Sequence, residues 1–370
     1  DSEILKKDKR LGKLFEILKE TRTFPFVPLS QVLTDLSEER KFELEDDKVY
    51  CDPTISTKTN TITVSNEVAG ADLKVKKRIL IQPGDLVVGK MHTQNGAFAI
   101  ADKEYVSTGT FIPFQINESA INPKYLFISL KPAFYQLGNV DATGRETYTT
   151  DEILNIQIPL PPLEVQNEIV EIVETQRRIV EGADGIVGNF KLVIPKLNPE
   201  PQMIEVGSVC NFVYGDPLPE AQRSEGEFPV YGAGNIIGTH NKYLTKGPAI
   251  IMGRRGATSG TVMYSDKSCW IIDTAFYAKI KSEKEPIILF KYLYYALKSL
   301  NLFKYQNGGA MPGVNRNDIY KEKIPLPTTE VQQKIIEELD RQVYTIDGVR
   351  ILKFDAENRI DQILLGIWGK

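Results

Sequence analysis

Two arginines set between glycines are the residues of this chain whose type and spacing best suit recognition chemistry. In the segment GRRGATSG, Gly253 and Gly256 flank Arg254 and Arg255. Glycine lets a backbone come close to a partner, and each guanidinium is a planar donor fork that matches a guanine edge or a phosphate. Thr258 and Ser259 add hydroxyls to the same loop. A glycine-rich turn with solvent-facing arginines fits these residues equally. The loop YGAGNIIGTHNKY offers Asn235, His240, Asn241 and Lys242, polar groups suited to adenine edges or phosphates, or to turns and nothing more. NGGAMPGVNRND contributes Asn307, Asn315 and Arg316, with Lys304 and Gln306 just ahead.

Catalytic chemistry has few candidates. The 370 residues hold only two histidines, His92 and His240, so triads, His-rich metal sites and most general acid-base schemes lack parts. Cys51, Cys210 and Cys269 lie far apart with no CxxC spacing, which reads as buried apolar residues rather than zinc or redox ligands. A formal net charge of -4 gives no overall attraction to nucleic acid, so any such binding must come from locally basic surface or a positively charged partner. With 42% apolar and 25% charged residues, the chain suits two ordinary globular domains. There is no apolar run of membrane-spanning length and no secretory signal, so no membrane partner is expected and the cytoplasm is the expected location.

The elements that must position these loops come in duplicate. IPLPPLEVQNEIVEIVE at Ile158 to Glu174 recurs as IPLPTTEVQQKIIEELD at Ile324 to Asp340, and self-similarity of this kind decides an architecture. YLFISL (Tyr125 to Leu130) aligns with YLYYAL (Tyr292 to Leu297), and the segment opening at Gly84 parallels that at Gly247. Each copy runs from Gly-punctuated strands through a short Tyr-rich helix and a Pro-rich strand to a long helix, a mixed α/β module. In the first copy the positions matching the second copy's loops are Lys90, His92, Gln94 and Asn95, with Arg145 and Tyr148 near a later loop. Lys58, Thr59 and Asn60 form another polar turn, while Lys74, Lys76, Lys77 and Arg78 read most simply as a solvated strand face.

Val165, Ile169, Ile172, Gln176, Ile179, Ala183, Ile186 and Phe190 keep a 4-3-4-3 spacing, the seam of a coiled coil. A similar stripe runs from Val331 through Ile335, Leu339 and Ile346 to Ile367. A helix from Pro162 to Pro195 would be about 50 Å long, longer than its own module needs, so the second helix is its expected partner. Gly182, Gly185 and Gly188 weaken that helix, and a close helix contact or a kink would account for them. Thr329 is the expected N-cap of the second helix. The apolar residues Ile4, Leu11, Leu14 and Leu18 suggest a third, N-terminal helix or a frayed end.

The ordered motifs FPVYGAGNIIGTHNKYL, GPAIIMGRRGATSGTVMY, NGGAMPGVNRNDI and KIPLPTTEVQ, with TGRETYTTDEILNIQIPLPPLEVQNEIV in the first copy, closely resemble the target-recognition domains of type I restriction-modification DNA specificity subunits. The resemblance covers nearly the whole chain, although HTQNG in the first copy departs from the RRGATSG pattern. It implies an α/β (α+β) fold of two repeated target-recognition domains separated by two long antiparallel coiled-coil helices, with pseudo-twofold symmetry. The expected division is an N-terminal helix over 1–22, domains over 23–161 and 195–327, and spacer helices over 162–194 and 328–368. It further implies double-stranded DNA as ligand, contacted by the loop residues named above and read as two separated half-sites. The implied protein partners are adenine methyltransferase subunits, which bind S-adenosylmethionine, and ATP-dependent restriction subunits, so that no cofactor is expected on this chain. The absence of an initiating Met leaves open the specificity region of a fused restriction-modification polypeptide.

Two other classes remain in view. A DNA methyltransferase would need an NPPY-like tetrapeptide and a Gly-rich cofactor turn, and nucleotide hydrolysis would need GxxxxGK[ST]; the sequence has none of these. A coiled-coil adaptor for proteins has no particular need for arginines flanked by glycines.

Overall fold

Runs of Val, Ile, Phe and Tyr broken by Gly and Pro fold as strands in the computed structural model, which describes residues 12, 14, 16, 24–73, 75–135, 147–309 and 311–369. Arg145, Lys74 and nearly all of 1–22 lie outside the described residues. The chain divides into one unit of Asp1–Asp184 with Leu352–Lys370 and a second of Gly185–Ile351.

In the first unit the strands are β1 (Phe26–Pro28), β2 (Leu33–Asp35), β3 (Lys41–Glu43), β4 (Val49–Ser56), β5 (Thr61–Ala69), β6 (Lys77–Ile81), β7 (Leu86–Gly89), β8 (Phe98–Ile100), β9 (Tyr105–Ser107), β10 (Phe111–Ile116) and β11 (Gln157–Pro159). The helices are α1 (Pro123–Phe134), α2 (Thr150–Leu154) and α3 (Leu163–Asn189). The second unit holds β12 (Gln202–Glu205), α4 (Val206–Val209), β13 (Cys210–Tyr214), β14 (Phe228–Tyr231), β15 (Ile236–His240), β16 (Ala249–Gly253), β17 (Val262–Ser265), β18 (Trp270–Ile271), β19 (Ala275–Ile280), α5 (Phe290–Ser299), α6 (Arg316–Tyr320) and β20 (Lys323–Leu326). A last helix, α7 (Thr329–Ile367), begins in the second unit and ends in the first.

The two units repeat one internal plan. A four-stranded sheet has the order β2-β10-β7-β8 in the first and β13-β19-β16-β17 in the second, and each unit adds a two-stranded pair, β1-β11 or β12-β20. All pairings are antiparallel except β14 with β18. The plan is therefore α+β, with helices packed on mostly antiparallel sheets.

A buried polar clasp recurs at equivalent places. Gln166, 0% exposed, accepts the Asn122 N–H at 2.8 Å and donates to the carbonyls of Pro161 (2.8 Å) and Ala120 (3.3 Å). Gln332, also 0% exposed, accepts from Leu289 N–H at 2.8 Å and donates to Ile287 and Pro327, both at 2.9 Å. In each case a side-chain amide supplies two donors and one acceptor to main-chain groups that burial would otherwise leave unpaired. Tyr125 and Tyr292 reinforce the same junction by donating to the carbonyls of Pro159 (2.8 Å) and Pro325 (2.7 Å); burial pushes both phenols well above the usual tyrosine range. The repeated EVQ and YL residues thus pin each long helix to the sheet and short helix of its own module.

Around these clasps the apolar residues form the cores. In the first unit Ile169, Val170, Ile172 and Val173 of α3 pack with Phe114, Tyr125 and Ile158, and also with Ile363 and Ile367 from the end of α7 and Trp368 just beyond it. The two long helices run antiparallel there, since Gln176 receives a hydrogen bond from Arg359 (3.4 Å) and Asp184 an ion pair from Lys353 (2.6 Å). In the second unit Ile335, Ile336 and Leu339 of α7 join Phe212, Phe276 and Tyr292. The buried seam positions Ile169, Ile172, Gln176 and Ala183 agree with the heptad reading, but Ile186 is 54% exposed.

Three details differ from the sequence expectations. Helix α3 stops at Asn189, well short of Pro195, because Leu192, Ile194 and Leu197 turn to pack against the second unit's core, and the residue before proline disfavours helix. Helix α7 is capped one residue early: Thr329 is already helical and Gln332 N–H reaches the Thr328 carbonyl at 2.9 Å. Arg78 is not on a solvated face but 6% exposed, with Nε and Nη1 lacking hydrogen-bond partners among the described residues; it sits on β6, the central strand of the sheet β3-β6-β9. No described helix is long and apolar enough to cross a membrane.

Candidate nucleic-acid interface

The loop GRRGATSG follows β16 and is stitched to two neighbours. The Arg254 N–H donates to the Thr274 carbonyl ahead of β19 at 2.8 Å, and the Arg254 carbonyl accepts from Val314 N–H at 2.9 Å. Gln306 donates to the carbonyls of Ala257 (3.1 Å) and Ser259 (2.8 Å), and Asn307 closes its own loop by accepting the Gly313 N–H at 2.6 Å. Gly253 serves this packing rather than an external partner: a Cβ there would stand 2.1 Å from the Ala233 carbonyl oxygen. Gly256 does need its freedom, at φ +95° with open space around it.

These segments enclose a cleft of about 260 Å³ lined by Tyr214, Phe276, Arg254, Arg255, Arg316 and the two asparagines Asn307 and Asn315. The Tyr214 ring lies 4.6 Å from Cζ of Arg254 and 4.8 Å from Cζ of Arg316, within cation–π range for both. Each guanidinium also donates to a main-chain carbonyl, Arg254 Nη1 to Asp273 at 3.0 Å and Arg316 Nη1 to Phe212 at 3.1 Å. Arg255 is exposed, and its side chain makes no hydrogen bond or ion pair among the described residues. None of the three arginines meets a carboxylate within the described residues. Three cations with no paired anion, around one concave site, give locally the positive potential that the net charge of the chain lacks.

Other residues singled out from sequence divide into structural and surface groups. His240 is 7% exposed, accepts the Ser224 N–H through Nδ1 at 3.1 Å and packs edge-on against Trp270. Ser259 is fully buried. Asn315 caps α6 by accepting the Asn317 N–H at 3.0 Å. Lys304 pairs with Glu322 at 2.5 Å, and Lys304 and Tyr305 together hold that carboxyl below the usual range. Asn235, Asn241, Lys242 and Thr258 remain exposed. The sequence reading missed Tyr214, which lies on a strand forty residues before Arg254; its only signal was an aromatic residue ahead of Gly215-Asp216.

The first unit builds the same joint with other residues. Lys90 stands where Arg254 does: its N–H donates to Thr110 at 2.8 Å and its carbonyl accepts from Tyr148 N–H at 2.8 Å. The bridge Met91–Thr147 corresponds to Arg255–Gly313, so an exposed methionine replaces the projecting arginine. Tyr148, 7% exposed, is a core residue. The Gln94 amide is buried without a hydrogen-bond partner among the described residues, while His92, at φ +60°, and Asn95 are exposed. Asn60 at the β4–β5 hairpin tip donates to the carbonyls of Gly96 (2.7 Å) and Phe98 (3.2 Å), fastening the tip to this loop, and leaves Lys58 and Thr59 exposed.

Comparison with known proteins agrees with this duplicated plan. The family described as type I restriction modification DNA specificity domain matches residues 5–181 and again 199–351. The chain belongs to this family. A chain solved in work on complex assembly and conformational transition of the type I R-M system is 17% identical, with 94% of this chain and 96% of that one covered and a TM-score of 0.59. The S subunit of the type I restriction-modification system from M. genitalium is 16% identical over the same shares, with a TM-score of 0.57. At these identities the likeness is one of fold. No curated protein matches the chain. As a type I specificity chain, it carries two DNA specificity domains, and the arginine cleft belongs to the second of them.

Proposed function

We propose that the chain reads an interrupted double-stranded DNA site, one unlike half-sequence per unit, and carries adenine methyltransferase and ATP-dependent restriction subunits that perform the chemistry. In this reading the contacts of the second unit come from Asn235, Asn241, Lys242, Arg254, Arg255, Thr258, Asn307 and Arg316, and those of the first from Lys90, His92 and Asn95. The long helices act as spacers between domains at about 23–161 and 195–327.

The supporting observation is the same joint built twice with unlike chemistry. Equivalent main-chain bonds hold Lys90 and Arg254, yet Met91 projects in one unit and Arg255 in the other. A guanidinium suits guanine or phosphate, whereas an apolar side chain suits a thymine methyl. Two readers with different surfaces on one frame fit a site whose halves differ.

The test is domain replacement. Exchanging residues 203 to 316 for the equivalent module of a relative, then mapping methylated adenines in a host genome, should alter one half-sequence and leave the other intact. A change in both halves would mean that the units do not read independently and would overturn the proposal.

A further inference from the structure

We infer that Arg254 and Arg316 form a fixed seat for one backbone phosphate of the bound duplex, while Arg255 is the side chain that reads a base. This assignment rests on the proposal that the second unit binds DNA, and it divides among the three arginines a task that the sequence assigns to them without distinction.

The division follows from the shapes of the two partners. Phosphates stand on the outer surface of a duplex, whereas base edges are recessed in the grooves. A recessed cation can therefore meet a phosphate, and only a projecting one can reach a base edge. Arg254 and Arg316 are recessed: both are half-buried in the cleft, both lie against the Tyr214 ring, and each is tethered to a main-chain carbonyl, of Asp273 and Phe212 respectively. Tethering sets their orientation before DNA arrives and still leaves each guanidinium further N–H donors. Two guanidinium groups flanking one ring, with no carboxylate neighbour among the described residues, leave an anion as the complement. Tyr214 acts here as a positioning residue.

Arg255 differs in every respect that matters. It is exposed and its side chain is untethered, while its backbone is fixed by the N–H bond to the Thr274 carbonyl at 3.1 Å and the bridge to Gly313. It is a rigidly mounted, freely reaching donor fork next to the phosphate seat. In the first unit Met91 holds the equivalent place, as expected of a position that carries sequence information.

The full chain, together with a methyltransferase subunit of its own system, is mixed with a pool of random-sequence duplexes at several salt concentrations, and the bound fraction is sequenced. Replacing Arg254→Gln or Arg316→Gln should weaken binding to all sequences alike, lower the slope of log affinity against log salt by no more than about 0.9 for the two together, the share of one phosphate, and leave the enriched sequence unchanged. Arg254→Lys should restore most of the slope, because a phosphate accepts a point charge. Arg255→Gln should keep the slope and relax selection at one position by about tenfold or more. Loss of selection at a base with Arg254→Gln or Arg316→Gln at unchanged slope, or a uniform loss with Arg255→Gln, would overturn the division. Absence of salt-dependent binding by the unsubstituted protein would instead remove the DNA reading beneath it. Thermal melting of each variant separates these outcomes from misfolding, and the lysine variant keeps the charge where glutamine disturbs the loop.

Discussion

Residue type alone does not separate a side chain that reads a ligand from one that holds a turn. Asn315, His240 and Gln306 are polar side chains able to hydrogen-bond a ligand, as Asn235 and Arg255 are, and the sequence placed them all in glycine-rich loops. In the folded chain Asn315 caps a helix, His240 accepts a main-chain N–H, and Gln306 binds two carbonyls. What distinguishes them is whether the fold leaves main-chain groups unpaired nearby, a property of three-dimensional neighbours that no spacing rule encodes. The same blindness hid Gln332, which the repeat marked only as part of EVQ. Its amide satisfies three buried main-chain groups, so Gln332→Leu should cost about 2 kcal/mol by leaving them unpaired. A urea titration of the variant should show a lower midpoint. Gln333→Leu next to it, where the amide meets only the exposed Glu337, should stay within about 0.5 kcal/mol of the parent. Equal midpoints for the two variants would remove the clasp from the account of stability.

At the scale of elements, periodicity was a good guide to the presence of both long helices and a poor one to their ends. The 3.5-residue repeat continues through Ile186 and Phe190, but the helix ends at Asn189, and Leu192 and Ile194 beyond it pack, partly buried, against the second core. Glycines 182, 185 and 188 looked in sequence like marks of a close helix contact or a kink. The helix instead runs unbroken through all three, with nothing within 4 Å of a Cβ built at any of them. Each therefore pays the backbone entropy of glycine without a packing return. Replacing all three by alanine should raise stability by roughly 0.5 to 1 kcal/mol per site, visible as a higher melting temperature. A drop in melting temperature would show that this stretch needs a conformation that alanine resists.

For the whole molecule, the internal repeat was the most legible feature, because duplicated sequence must fold into duplicated structure: the two sheets share one strand order and the two clasps one hydrogen-bond pattern. Where each half differs, in the loops after β7 and β16, the sequence could show divergence but not what replaced what; that needed the equivalent main-chain bonds of Lys90 and Arg254. If the long helices set the distance between two half-sequences, their length is a quantity that can be edited independently of the readers. Seven residues add about 10 Å to a helix, close to three base pairs of duplex, and a heptad rotates the helix faces by only about 20°. One heptad inserted after Gly185 in α3 and another after Arg350 in α7, both at exposed positions, should therefore preserve the buried seam on either side. Methylated adenines mapped in cells carrying this variant should show both half-sequences unchanged and the gap between them longer by about three base pairs. A gap that stays the same length would mean that the helices serve as packing elements of their own units, and that the distance is measured elsewhere.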